Sequence, residues 1–147
     1  MEIEQNIADY DRRSSVERLF AASGVAAVIG GVSVVAYFDP SASHFFPVCP
    51  LYALTGIACP GCGLTRGYHA LFHGDIATAL HFNALIPLYS LIFGYLFISL
   101  VLLAVRGKGL SFAAFRKPWV LWTVATVALA FAVLRNLPIY PFSVLYP

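Results

Sequence analysis

Three long apolar runs, separated by segments rich in charge, proline or glycine, set the pattern of this chain; they occupy 19–38, 84–105 and 119–137. Each is close to the roughly 20 residues an α-helix needs to cross a hydrocarbon core of about 30 Å. The pattern predicts an all-α integral membrane protein: three transmembrane helices forming a single membrane domain over 1–147. The runs leave a polar tail at 1–18, a connecting segment at 39–83, a loop at 106–118 and a tail at 138–147.

Local signals refine this outline. The first 13 residues alternate acids and arginines without apolar periodicity, which predicts a solvated tail, and Ser14 with Glu17 fits a capping box that starts the first helix. Inside that helix Ser23, Ala27 and Gly31 recur every four residues, as do Ala26 and Gly30, a spacing that admits close helix approach. We expect this stripe to pack on the protein's own spans, with a homodimer seam as the alternative. Asp39 and Pro40 end the helix. Four prolines between residues 40 and 60, with Phe45, Phe46 and Tyr52, predict an irregular loop lying on the membrane surface. A short amphipathic helix follows at 63–73, too short to span and either lying in the interface or dipping in as a re-entrant segment; Gly74 closes it and Asp75 caps the next. That next helix is expected to run on through the second span, kinked near Asn83 because Pro87 withdraws the donor for its carbonyl. Lys117 and Pro118 open the third span, Trp119 and Trp122 anchor it at the interface, and Arg135 and Asn136 lie near its far end.

Composition agrees with a membrane setting. Sixty per cent of residues are hydrophobic and 11% are charged, against roughly 25% charged in an ordinary soluble domain. The net charge of +2 and the absence of a basic stripe give no ground for a nucleic-acid partner. The first run follows 18 mostly polar residues and exceeds the usual length of a cleaved signal core, so it reads as a retained anchor. Arg12, Arg13 and Arg18 precede it, and Arg106, Lys108, Arg116 and Lys117 follow the second run, whereas Arg66 stands alone between the first two. By the positive-inside bias, the N-terminus and 106–118 face the cytoplasm, and 39–83 and the C-terminus face outward.

All three cysteines fall in the outward segment, in a setting that permits disulfides. Cys59-Pro60-Gly61-Cys62-Gly63-Leu64-Thr65-Arg66 is where reactive side chains, glycines and a positive charge meet. Taking the short helix at about 100° per residue from Cys62, Arg66, His69 and His73 fall within about 40° of it, on one face. Three readings stay open. In a redox reading Cys59 and Cys62 close a disulfide, Cys62 attacks because the helix N-terminus and Arg66 favour its thiolate, and Cys49 acts as a resolving or substrate-side thiol. In a metal reading Cys49, Cys59, Cys62 and His69 or His73 form a Cys3His set suited to zinc; no other cofactor is indicated. In a structural reading the loop is pinned, with Thr65 and Arg66 bonding backbone or lipid phosphate. Asn83 and His81 sit at the mouth of the second span. Arg135 is expected to snorkel to the headgroups, with an inward turn toward the cysteines as the sharper alternative. No Ser-His-Asp set, phosphate-cradling loop or paired carboxylates can be assembled, so the pattern favours a non-enzyme.

The motif from Cys59 to Arg66, with Gly74-Asp75 and then Asn83, resembles a family of small bacterial membrane proteins catalogued as domain of unknown function 2752. The resemblance covers roughly 49–105; here Ala84 rather than proline follows the asparagine. It implies a multi-pass protein of the bacterial inner membrane and marks Cys59, Cys62, Thr65, Arg66 and Asn83 as functional positions. We expect the outward motif to serve a structural or partner-docking role. The lipid bilayer is the surrounding partner, and a larger membrane complex or a homo-oligomer is a further candidate.

Overall fold

A computed structural model of the chain describes residues 2–43, 46–111 and 117–140, with side chains from residue 15 onward. Among the described residues six helices follow one another: α1 (Glu2–Tyr37), α2 (Pro50–Thr55), α3 (Leu64–Phe72), α4 (Ile76–Phe82), α5 (Ile86–Arg106) and α6 (Pro118–Arg135). There is no strand among the described residues. Among the described residues three segments are long and apolar enough to cross a membrane: Ser15–Tyr37, Ile86–Arg106 and Pro118–Arg135. Their side chains are largely exposed, as with Leu19, Leu91, Trp122 and Leu129, the condition expected of surfaces whose solvent is lipid rather than water.

Several boundaries differ from the sequence reading. Helix α1 passes through Ser14 and begins at Glu2, so the acid- and arginine-rich start is helical rather than a separate tail. The side chains of Ser14, Arg12 and Arg13 lie outside the description, as do Arg116 and everything after residue 140. The proline-rich segment contains α2, because Pro50 occupies the first helical position, where its missing N–H has no helical partner to lose. The second span starts afresh instead of kinking: Asn83 has extended backbone angles of φ −158° and ψ 107°, and α5 opens at Ile86. Pro87 is its second residue and sacrifices no helical bond there.

The chain divides into two compact units. One comprises Met1–Val32 and Leu91–Phe112. Here α1 meets α5 through Gly24, where an added Cβ would come within 3.2 Å of Leu100, and Ala21 is buried. The stripe itself makes no such contact: Ala27, Gly30 and Gly31 are exposed, with open space where a Cβ would stand on Gly30 or Gly31. The chain after α5 turns back along that helix. Leu110 N–H donates to Ser99 Oγ at 3.0 Å and the Tyr95 hydroxyl donates to the Ser111 carbonyl at 2.6 Å. Part of the expected 106–118 loop thus lies beside the span.

The other unit, Ser33–Ser90 and Ala113–Pro147, holds the cysteine segment. Its centre is the α3–α4 pair, built on Ala70, Ala79 and Ile86 with Leu64, Tyr68 and Leu71 around them. Gly74 takes φ +82°, a left-handed turn that suits glycine. Asp75 Oδ1 accepts from Thr78 N–H at 3.0 Å to cap α4; this bond holds its carboxyl below the usual range. Gly67 allows the helices to meet, since a Cβ there would strike Ile86 and stand 3.1 Å from the Ala79 carbonyl oxygen.

That close approach predicts the effect of a side chain at position 67. Gly67→Leu should destabilise the folded protein by about 1–3 kcal/mol through overpacking, seen as a lower unfolding temperature in detergent. A variant as stable as the parent would show that α3 and α4 do not meet there.

Candidate functional site

The cysteine loop has neither helix nor sheet to occupy its backbone, so each of its polar groups needs another partner. Within the loop, Cys62 N–H donates to the Cys59 carbonyl at 3.0 Å and Leu64 N–H to the Gly61 carbonyl at 3.1 Å. Gly63, at φ +79°, then turns the chain into α3, whose Gly67 N–H reaches the Gly63 carbonyl at 2.8 Å. Pro60 brings no N–H needing a partner.

Three side chains from later elements supply the rest. Asn83, fully buried at the break between α4 and α5, donates through Nδ2 to the Pro60 and Cys62 carbonyls at 2.8 and 3.2 Å. Its Oδ1 accepts from Leu85 N–H at 2.9 Å, fixing the break. Arg135, in the last turn of α6 and also fully buried, donates from Nη1 to the Cys59 and Cys62 carbonyls, each at 3.0 Å, and from Nη2 to the Phe82 carbonyl at 3.4 Å. Its guanidinium lies 4.9 Å from the Phe131 ring centre. Asn136 grips Ala58 at two points: Nδ2 donates to the Ala58 carbonyl and Oδ1 accepts from Ala58 N–H, both at 2.8 Å. Each carbonyl from Ala58 to Gly63 therefore has a donor.

This frame brings the three sulfurs together. Cys59 and Cys62 Sγ are 3.1 Å apart, Cys49 and Cys59 Sγ 3.4 Å, and all three lie within 4.8 Å of one another. All are free thiols, with no disulfide formed. Cys59 N–H donates to Cys62 Sγ at 3.2 Å. Beside them a cavity of about 380 Å³ is lined by Cys49, Cys62, Thr65, Arg66, Phe46 and Tyr52, among others.

The environments of the outer two thiols differ, and in the opposite sense to the expectation that Cys62 is the stronger nucleophile. Cys49 is the N-cap of α2, and the Tyr52 backbone N–H, followed by the neighbouring Cys59 thiol, draws its pKa below the ordinary value. Cys62 is buried. It precedes the N-cap Gly63 and stands outside α3. Burial, then the adjacent Cys59 thiol, pushes its pKa up to about 12. Desolvation outweighs the helix terminus here.

Of the remaining predicted residues, Thr65 and Arg66 share the cavity wall with Cys49 and Cys62, while His69 and His73 bond elsewhere. Arg66 lies over the Phe82 ring at 5.0 Å. His69 Nδ1 bonds the Val35 carbonyl at 2.7 Å, tying α3 to the end of α1, and His73 Nδ1 bonds the His69 carbonyl at 2.9 Å. No histidine joins the three-cysteine group among the described residues, so His69 completes no Cys3His set. A helical wheel gives the direction of a side chain but not what occupies that direction, and here it is the end of α1. Thr65 is exposed at the cavity wall and His81 is exposed on α4. Arg135 does not snorkel; it turns inward. Asn136 is the residue sequence reasoning left out of the site. Its one signal was a second polar side chain directly after Arg135 at the end of an apolar span.

A model of the family described as Protein of unknown function (DUF2752) matches residues 49–97. The match takes in the three cysteines, α2 to α4, Asn83 and the first part of α5, and leaves α6 outside. No curated protein and no solved structure matches the chain.

The two thiol environments predict a pH order of reactivity. In reduced, chelator-treated protein, alkylation at Cys49 should rise at lower pH than at an ordinary cysteine, because the thiolate reacts. Cys62 should stay slow to about pH 10. Peptide mass mapping across pH checks this, and a Cys62 that labels first overturns the assignment. Asn136→Ala should speed labelling of Cys59 and lower stability by about 1–3 kcal/mol by leaving Ala58 unpaired; unchanged labelling and unfolding would remove Asn136 from the site.

Proposed function

We propose that this chain is a multi-pass protein of a bacterial inner membrane. In this reading its cysteine loop forms a rigid outward-facing platform, structural in itself and offering its cavity to a docking partner within a membrane complex. The bonding of each carbonyl from Ala58 to Gly63, with donors from Asn83, Arg135 and Asn136, carries the reading. Loops that must move to do chemistry leave backbone groups to water, whereas this one is fastened along its length. The cavity wall at Thr65 and Arg66 gives a partner a polar, cationic edge to meet. Orientation follows from the lysine and arginine asymmetry, with the N-terminus in the cytoplasm and the loop and C-terminus outside.

A second reading is favoured by the depressed thiol of Cys49. As a thiolate, Cys49 attacks an external disulfide, forms a mixed disulfide and expels one thiolate. Cys59, 3.4 Å away, then displaces the other, so that two electrons pass to the substrate and a Cys49–Cys59 disulfide remains. In this version Cys49, not Cys62, is the attacking sulfur.

Trapping thiols in living cells separates the two. The platform reading expects one fixed state of Cys49, Cys59 and Cys62 under both oxidising and reducing growth; interconversion between thiol and disulfide would replace it with the redox reading. A photocrosslinking residue in place of Thr65 should give one discrete protein adduct, and none if nothing docks. A C-terminal reporter active only outside the cytoplasm should be active; silence would invert the topology.

A further inference from the structure

Arg135 presents a problem of charge. It is fully buried, its hydrogen bonds run to carbonyl groups, and its Nε has no partner. A buried cation without an anion carries a large desolvation cost, and the two carboxylates of this unit bond backbone N–H groups of their own segments. Asp75 caps α4, and Asp39 Oδ1 accepts from Ser41 N–H at 2.8 Å. The groups beside it able to carry negative charge are the Cys59 and Cys62 sulfurs and the Tyr89 phenol; the sulfurs are the ones whose own backbone carbonyls Arg135 holds.

Three sulfurs converge, one more than a disulfide uses. A Cys59–Cys62 disulfide would leave that pair neutral and the guanidinium without an anion from it. A divalent ion on three thiolates carries a net charge of −1 and answers Arg135 with one unit of opposite sign. The geometry suits such an ion. Tetrahedral zinc with Zn–S of about 2.3 Å sets its sulfurs about 3.8 Å apart, and the Cys59–Cys62 and Cys49–Cys59 separations of 3.1 and 3.4 Å need only a small outward movement. The two-residue spacing of Cys59 and Cys62 is that of zinc-binding turns. Arg66 lies over Phe82 at the wall of the same cavity, so its charge adds to that of Arg135 in favouring a site of net negative charge.

We propose that Cys49, Cys59 and Cys62 form a three-thiolate site for a zinc-type divalent ion. Arg135 is its fixed counter-charge, and the fourth coordination position is filled from solution through the cavity lined by Cys49, Cys62, Thr65 and Arg66. Binding is not a redox step: three thiols give up three protons to solvent as three metal–sulfur bonds form. Among the described residues no histidine joins the three sulfurs, and a water or an anionic solute completes the site.

The test uses the full chain in detergent, purified without chelator by a tag that contains no histidine. About one zinc per chain is expected by elemental analysis. Cobalt(II) added to reduced, metal-free protein should give a sulfur-to-cobalt charge-transfer band in the near ultraviolet, absent from Cys49→Ser, Cys59→Ser and Cys62→Ser. Because those variants risk misfolding, mercurial titration of the parent provides a second measurement, with metal released as three thiols are consumed. Arg135→Leu should weaken cobalt binding by about 10–100-fold, as loss of an outer-sphere partner does, and Arg135→Lys by less. Protein that carries no metal and develops no cobalt band overturns the site, as does metal retained by the triple cysteine variant; equal affinity in Arg135→Leu removes the counter-charge. The docking platform is judged by crosslinking at Thr65, so either idea can fail while the other stands.

Discussion

The guanidinium of Arg135 against the carbonyls of Cys59 and Cys62 is the contact on which the rest of the cysteine unit depends. A loop of prolines and glycines saturates few of its own peptide groups, and where water is scarce each unsatisfied one costs several kcal/mol. The chain solves this by importing donors. Arginine suits the task because its planar fork reaches several acceptors from one rigid group, here three carbonyls contributed by Cys59, Cys62 and Phe82. Asn83 and Asn136 complete the set, the second by matching both the donor and the acceptor of Ala58. Convergence of the sulfurs is a consequence: once the backbone from Ala58 to Gly63 is fixed, the positions of Cys59 and Cys62 are fixed with it.

The same contact shapes the electrostatics. Arg66 and Arg135 are both close to the loop, yet they are handled differently. Arg66 is half-buried and spends its charge on the face of Phe82, an attraction that leaves the ion partly solvated. Arg135 has no solvent at all, and its contact with Phe131 offsets only part of the desolvation. The field it creates falls on the carbonyls and sulfurs of the loop and makes negative charge there favourable. Burial acts in the other direction on Cys62. The outcome is that the two thiols lining the cavity differ, with Cys49 drawn below the ordinary value and Cys62 pushed above it.

What was legible in the sequence was whatever depends on neighbours in the chain. The spans needed only length and apolar content. The end of α3 at Gly74 and the start of α4 at Asp75 were readable because glycine turns and aspartate caps act over a few residues. The effect of a proline depends on its place in a helix, which near neighbours do not reveal: Pro50 and Pro87 both sit at helix starts, where they cost nothing. The gathering of the site was not readable. Arg135 lies 76 residues from Cys59, and Asn136 lies 78 from Ala58. No periodicity carries information across such a separation. At the end of an apolar span an arginine bound for the headgroups and one bound for a buried carbonyl cluster have the same local sequence.

The dependence on α6 has a consequence for how the unit is completed. From Cys49 to Ser90 the chain contains all three sulfurs and Asn83, which by itself covers the Pro60 and Cys62 carbonyls. Within that stretch Ala58 has no partner for its N–H or its carbonyl, because both belong to Asn136. The cysteine turn is therefore half-built by its own neighbourhood and finished by the last span. A helix that must bury an arginine gains by finding carbonyls, and a loop that must satisfy carbonyls gains by finding an arginine. Each element's cost on its own is what makes their association favourable, so the loop and the end of α6 are best regarded as one folding element split across the sequence.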